Sequence, residues 1–318
     1  MVGNTDSLFF FYLYGDHPVL GQEELRRRYD SDLTIFSPRI VSLSSTFGPL
    51  DTSLFGFVQS TSKFIASASR DSITSFLPHL EDDAKVSVFS SSPDDPSTRE
   101  TLSLLFSKQT ISVNLTNPTH HYYIFWTENK VYLTKECSIN KDSPSSRRTH
   151  LLAKPHPTAI HPKFAKAMIS LAQTDTFHDP FCGVGGIVLE GKRQGLAVSG
   201  SDISPKLISF AQENVVDTSF FVSDALALEI SCPVLISDLP YGKNSLVSLE
   251  KHSLYHSFLH IVAFFAQRLV LGLEAETELT SPEWVEEFSY SFPVHKSLRR
   301  KIVLLNRADQ VHQEEDEA

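Results

Sequence analysis

Four short runs of strand-forming residues in the second half of the chain each end on an aspartate, and this recurrence narrows the possible folds more than any other feature. The first run, Thr176-Phe177-His178-Asp179, leads into Pro180-Phe181-Cys182-Gly183-Val184-Gly185-Gly186, after which the pattern turns helical. A strand, a glycine-rich turn and a helix in that order bring backbone N–H groups close to a nucleotide-like ligand, because a side chain in the turn would stand in the way. Residues 196–201 precede Asp202, about where an acid is wanted for a ribose diol. Runs at 220–223 and 234–237 end on Asp224 and Asp238. In a parallel sheet all four carboxylates would line one edge, the edge where open α/β sheets bind ligands. Aspartate also follows strands simply because it starts turns and caps helices, so the recurrence needs independent chemistry beside it.

The fourth run supplies that chemistry as Asp238-Leu239-Pro240-Tyr241-Gly242. An amino group conjugated to a ring is a poor nucleophile, since its lone pair is delocalised. Two acceptors that draw out its N–H protons favour a more tetrahedral nitrogen. Asp238 offers a carboxylate and Leu239 a main-chain carbonyl fixed beside a proline. Tyr241 can stack on a base plane. The acid also stabilises the positive charge that builds on nitrogen during transfer. Taken alone, the same five residues would serve as an ordinary strand-end turn.

A chain of 318 residues can bury two cores. At 41% apolar and 21% charged it has the composition of a soluble globular protein. The formal charge of −10 is unusual for a nucleic-acid binder, but Asp309, Glu314, Glu315, Asp316 and Glu317 crowd the last eleven residues. Basic residues cluster at Arg26-Arg27-Arg28, at Arg147-Arg148 with Lys154, and at Lys296 with Arg299-Arg300-Lys301. Such clusters hold phosphates on an acidic protein when distant charge is screened, or are plain solvated faces. Cys137, Cys182 and Cys232 are few and unpaired in spacing, which favours a reducing compartment over disulfides or zinc. His156, His161, His178 and His295 fit no ligand set and read as packing or phosphate contacts, so no metal is expected. No apolar run reaches membrane-spanning length, and the expectation is a cytoplasmic protein with no membrane partner.

In the first half, strands are expected at 8–14, 33–36, 40–43, 55–60, 85–90 and 111–115, with a hairpin of 122–127 and 130–134 around Glu128-Asn129. Helices are expected from Pro18, at 71–77 and at 99–108. The irregular alternation is α+β. A segment rich in Lys, Asp, Ser and Pro at 139–146 reads as a linker. Beyond it, helices at 162–173, 186–194, 205–215 and 253–267 alternate with the strand runs. A strand at 268–273, a short helix at 282–288 and strands at 290–294 and 301–306 close the chain. The pattern predicts a doubly wound α/β sheet finished by a hairpin.

That sheet resembles the seven-stranded, Rossmann-like pattern of S-adenosylmethionine methyltransferases. More closely, the chain is similar to the archaeal THUMP-domain tRNA (guanine-N2)-methyltransferases and their eukaryotic relatives, which carry a (D/N)PPY motif. Tyr14-Gly15-Asp16-His17-Pro18 with Glu23-Glu24-Leu25 resembles the opening of that family. Val113-Asn114-Leu115-Thr116-Asn117-Pro118 resembles the end of a THUMP domain. His156-Pro157-Thr158-Ala159-Ile160-His161-Pro162-Lys163 resembles the segment before the catalytic core, and His295-Lys296-Ser297-Leu298-Arg299-Arg300 the closing segment. The resemblance implies a ferredoxin-like region at 1–50, a THUMP-like RNA-binding domain at 51–138, a linker at 139–155, a methyltransferase domain at 156–307 and an acidic tail at 308–318.

It implies roles as well. Asp179, Cys182, Gly183 and Gly185 would surround the methionine part of S-adenosylmethionine, with Thr158 helping from the preceding segment. Asp202 would bind the ribose, Ile203 would pack on adenine, and Asp224 with Ala225 would meet the adenine amine. Asp238, Leu239, Pro240 and Tyr241 would hold guanine, Asp238 also bordering the cofactor. Arg147, Arg148, Lys154, Lys296, Arg299 and Arg300 would touch RNA. The expected partner is tRNA, methylated at guanosine ten, and some relatives need a small activator protein. Leu239 stands where the family has proline, which costs rigidity and leaves the carbonyl. An adenine or cytosine amine in RNA or DNA, another tRNA position, a glutamine substrate, or a non-catalytic tRNA-binding protein with a methyltransferase shell stay open as alternatives.

Overall fold

The computed structural model describes residues 7–45, 51–90, 112–127, 129–142, 144–156, 159–228, 230, 232–240, 248–295 and 298–310. The chain divides into two units, Met1–Ser53 with Phe57–Asp142, and Leu54–Gly56 with Ser143–Ala318.

In the first unit, β1 (Ser7–Leu13) is followed by α1 (Pro18–Tyr29), β2 (Thr34–Ser37), β3 (Ile40–Ser45), β4 (Val58–Ala68), β5 (Ala84–Ser90), β6 (His120–Trp126) and β7 (Val131–Ile139). They form one sheet in the order β2-β3-β1-β4-β7-β6-β5. The strands expected in regions 1–50 and 51–138 therefore share a sheet, joined by the antiparallel pair β1·β4 with Phe9 opposite Lys63. One face carries an aromatic cluster in which Phe10 stacks on both Phe36 and Phe125 at ring separations of 5.4 and 5.3 Å. Pro18 opens α1 as expected, and the buried Glu24 of that helix accepts the Phe57 N–H at 2.8 Å. The expected hairpin β6·β7 is present.

Two local expectations fail in this unit. Residues 71–77 are not an α-helix; Arg70–His79 is a 3-10 stretch that continues through Pro78. A three-residue period stacks positions i and i+3, which lets Ile73 and Phe76 face the core together. The strand expected at 111–115 is reduced, over its described residues, to a single bridge between Val113 and Ala84. The Asn114 side chain accepts the Thr116 and Asn117 N–H groups at 3.1 and 3.0 Å and so turns the chain away from the sheet. The helix expected at 99–108 lies outside the described residues.

The second unit runs α2 (Pro162–Ala172), β8 (Thr176–Asp179), α3 (Gly186–Arg193), β9 (Ala197–Asp202), α4 (Pro205–Asn214), β10 (Ser219–Val222), β11 (Val234–Asp238), α5 (Ser248–Val262), β12 (Arg268–Glu274), β13 (Trp284–His295) and β14 (Leu298–Arg307). The strand order is β10-β9-β8-β11-β12-β14-β13, parallel from β10 to β12 and antiparallel beyond. This is the expected Rossmann-like sheet closed by a hairpin. Helix starts follow the sequence signals: Ser204 caps α4 by accepting the Leu207 N–H, and His161 caps α2 through Lys163 N–H.

One face of the sheet buries Leu235, Leu269, Leu271, Leu273, Val303 and Leu305 against Phe258, Leu259 and Val262 of α5. Each such side chain contributes about 1.5–3 kcal/mol on burial. The short helix expected at 282–288 is instead the start of β13, with Trp284 opposite Arg307. The reason is tertiary: Trp284 is buried, and its indole N–H donates to the Leu259 carbonyl at 2.9 Å. Among the described residues no helix is long and apolar enough to cross a membrane.

Candidate active site

Because β8 and β11 are neighbours while β9 and β10 lie on the far side of β8, the loops after these four strands open at one edge. At the end of β8, Asp179 is completely buried. It accepts the Ser237 hydroxyl at 2.5 Å and the Phe181 N–H at 3.2 Å. Burial, helped by the nearby charge of Asp202, pushes its carboxyl from 3.8 up to about 7, despite these hydrogen bonds. Burial likewise pushes the Cys182 thiol up, with the charges of Asp179 and Asp202 adding to it.

The glycines then divide their work. Gly183 has φ +53°, donates its N–H to Asp202 Oδ2 at 3.0 Å, and has open space where a Cβ would stand. Gly185, at φ +84°, caps α3, and a Cβ there would press on Val215, Phe220 and Ala211 at 3.2–3.4 Å. Gly185 therefore faces the α4 side of the core, and the cavity wall expected of it is made by Gly186. Asp202 takes the Ser204 N–H on its other oxygen at 2.9 Å. Asp224 caps the short turn Ala225–Ala227 through Leu226 N–H at 2.9 Å.

At the end of β11 the Leu239 N–H donates to the Gly272 carbonyl at 2.8 Å, and the Leu239 side chain is buried in the α5 core. The Tyr255 hydroxyl donates to the Pro240 carbonyl at 2.5 Å, tying α5 to the segment. Asp238 faces the guanidinium of Arg300, Nη2 against Oδ1. These loops enclose a cavity of about 600 Å³. Asp179, Cys182, Gly183, Asp202, Ile203, Asp224, Ala225, Asp238, Leu239 and Pro240 all stand on its wall. Ile203 is exposed at 69%, an isoleucine offered as a flat apolar surface. Its size, its four acids and its apolar lining residues fit an adenosyl ligand with a charged tail. Thr158 and Tyr241 lie outside the described residues. Ile160, Leu207 and Leu254 line the same cavity and were not expected, because apolar residues in amphipathic segments carry no signal separating a ligand face from a core face.

The basic residues expected on RNA do not form one set. Arg147 makes a two-pronged pair with the buried Glu190, Nε to Oε1 at 2.7 Å and Nη2 to Oε2 at 2.9 Å. Arg300 is only 4% exposed. Both guanidinium groups turn inward, Arg147 to the buried Glu190 and Arg300 to the half-buried Asp238, each within its own unit. Arg148 and Arg299 are exposed, Lys154 sits 3.4 Å from Glu213, and Lys296 lies outside the described residues. His178 is a packing residue, held between the Ser199 and Ser201 hydroxyls at 2.8 and 2.9 Å, with burial pushing its pKa down to about 4.

Residues 152–282 match the family described as RMKL-like, methyltransferase domain. The chain is 31% identical over 186 residues to a tRNA (guanine(10)-N2)-dimethyltransferase of Methanothermobacter thermautotrophicus, covering 53% of this chain and 55% of that protein. It is 26% identical over 217 residues to the protein of that name from Methanocaldococcus jannaschii, covering 61% and 60%. The chain thus spans a little over half the length of the curated relatives it matches. In fold it is similar to the crystal structure of TrmN from Thermus thermophilus, with a TM-score of 0.56 at 16% identity, covering 95% of this chain and 99% of that one.

Proposed function

We propose that this protein transfers a methyl group from S-adenosylmethionine to the exocyclic N2 amine of a guanosine in tRNA, at position ten. The observation that carries the reading is the convergence, on one cavity, of the 179–186 loop, Asp202, Asp224 and the Asp238-Leu239-Pro240 segment. The names of the archaeal relatives supply the base, the position and the expectation of a second methylation.

Each group on the wall has a task in this reading. When bound, S-adenosylmethionine supplies an electrophilic methyl carbon on a sulfonium. Asp202, whose two oxygens are already aimed by Gly183 and Ser204, presents its remaining lone pairs to the ribose diol. Ile203 covers one face of the adenine. Asp179, buried beside the glycine turn, stands as a carboxylate against the methionine ammonium, whose charge offsets the burial that otherwise keeps it protonated. Asp238 and the Leu239 carbonyl accept the two amine protons, so that the nitrogen lone pair points into the cavity. Asp238 then takes the proton that the methylated, cationic nitrogen releases. The THUMP-like assignment of the first unit and the tRNA contacts of Arg148, Lys154, Lys296 and Arg299 belong to the same proposal, as does any activator partner.

The test is direct. The purified protein is incubated with unmodified tRNA transcript and S-adenosylmethionine, and the digested nucleosides are analysed by mass spectrometry with the site mapped. N2-methyl- and N2,N2-dimethylguanosine at position ten are expected. Methylation of adenosine or cytidine would move the substrate to another base, and no methylated nucleoside at all would overturn the reading.

A further inference from the structure

Arg300 was expected on RNA, yet it sits inside the sheet and reaches the catalytic carboxylate across a whole strand. Asp238 lies opposite Gly272 in the β11·β12 ladder, and Glu274, two residues further, lies opposite Arg300 in β12·β14. Residues directly opposite, and residues two apart, share one sheet face, so Asp238, Gly272 and Arg300 all project from the same side. The backbones of β11 and β14 are about 10 Å apart, with β12 between them.

The arginine bridges that gap only because position 272 has no side chain. A Cβ there would stand 2.6 Å from Asp238 Oδ1 and 3.0 Å from Arg300 Nη2, inside both groups. A glycine in the interior of a buried strand is less stable there than alanine, so its presence marks a close approach of this kind. Two aromatic rings lie on the Arg300 side of the pair. Phe292, the β13 partner of Arg300, is buried and stacks on Phe164 of α2 at 3.9 Å. In such surroundings an ionic contact is little screened by water.

On the reading of the preceding subsection, we propose that Arg300 is a positioning residue for methyl transfer, clamping one oxygen of the Asp238 carboxylate across Gly272 so that the other oxygen is presented to the substrate amine. Oδ1 belongs to the guanidinium, which fixes the carboxylate plane and leaves one acceptor there for one amine proton. The second proton must then go to the main-chain carbonyl of Leu239. The clamp also offsets the charge of Asp238 on a wall that already carries Asp179, Asp202 and Asp224.

The experiment compares Arg300→Met, Arg300→Lys and Gly272→Ala with the wild type, by steady-state methylation of tRNA and by calorimetric binding of S-adenosylmethionine. Arg300→Met should lower kcat about 10- to 100-fold, the scale on which a displaced catalytic group loses rate. KM for tRNA and Kd for S-adenosylmethionine should stay within about threefold, since the loss is in orientation and not in binding. Arg300→Lys should recover part of kcat, because it restores the charge without the planar fork. Gly272→Ala keeps both charged groups but drives them apart, and should lower kcat in the same way; it decides the matter if Arg300→Met does not fold. Wild-type kcat in either Arg300→Met or Gly272→Ala, or a loss confined to KM or to cofactor binding, overturns the inference. A wild type that methylates no tRNA overturns the functional reading itself, so the two failures are told apart.

Discussion

At the ends of β8 and β11, adjacent strands of the second sheet, Asp179 and Asp238 hold equivalent places in unlike company. Asp179 is sealed in, its nearest donors are a hydroxyl and an amide, and its carboxyl is pushed up to about 7. Asp238 stands against a guanidinium that crosses β12 to reach it. Even Ser237, directly before Asp238, turns its hydroxyl to the other acid. One residue type at one sheet edge thus becomes a proton-holding support in one strand and, on the proposed reading, the reactive group in the next. The neighbours on each side of the pleat make the difference.

Removing Asp238 should break this contrast most visibly. Asp238→Ala is expected to lower methyl transfer by about 10²- to 10⁴-fold, the range for a lost acid–base group, while S-adenosylmethionine binding measured by calorimetry changes little. Equal losses in turnover and cofactor affinity would place Asp238 with Asp179 as a support.

The second prediction concerns stability against pH. Asp179 holds its proton in the folded state up to about 7, whereas the unfolded chain releases it near 3.8. Between those values the folded state binds more protons, so the stabilisation is full below the lower value and is lost as pH rises through the upper one. Denaturant titrations of the cofactor-free protein should therefore show the wild type losing a few kcal/mol across this window relative to Asp179→Asn. Parallel curves for the two proteins would remove the contrast.

Ser237→Ala sharpens the same point on a smaller scale. It takes a donor from Asp179 and leaves Asp238 its arginine, so it should cost about 1–3 kcal/mol in thermal or denaturant melts with kcat nearly unchanged. The smallest effect is expected at Arg299. This residue is exposed beside the buried Arg300, and Arg299→Ala should weaken tRNA binding only severalfold, increasingly so at low salt, without changing kcat at saturation.

Much of the second sheet was legible from the chain alone, and for a definable reason. Parallel strands joined by helices read as local units, and Ser204-Pro205 or His161-Pro162 mark helix starts by short-range hydrogen bonds. The cavity residues were legible because the turn at Gly183 and the acids Asp202, Asp224 and Asp238 all close strands. Trp284 shows where this stops. Its segment reads as a short helix, and only the Leu259 carbonyl and the pairing with Arg307 make it a strand. The first unit was less legible, because β1 meets β4 across about fifty residues and no local pattern announces that register.

The order of hydrophobic runs, glycines and strand-end acids therefore determined the fold of the second unit and which residues would meet at its edge. It could not say which way a long cation would point. Arg147, Arg148, Arg299 and Arg300 are chemically alike in the sequence. Whether each reaches solvent, Glu190 or Asp238 depends on the charge that folding sets opposite it and, for Arg299 and Arg300, on strand parity and the emptiness of Gly272. Those relations join residues far apart in the chain, so they come into being only when the sheet closes.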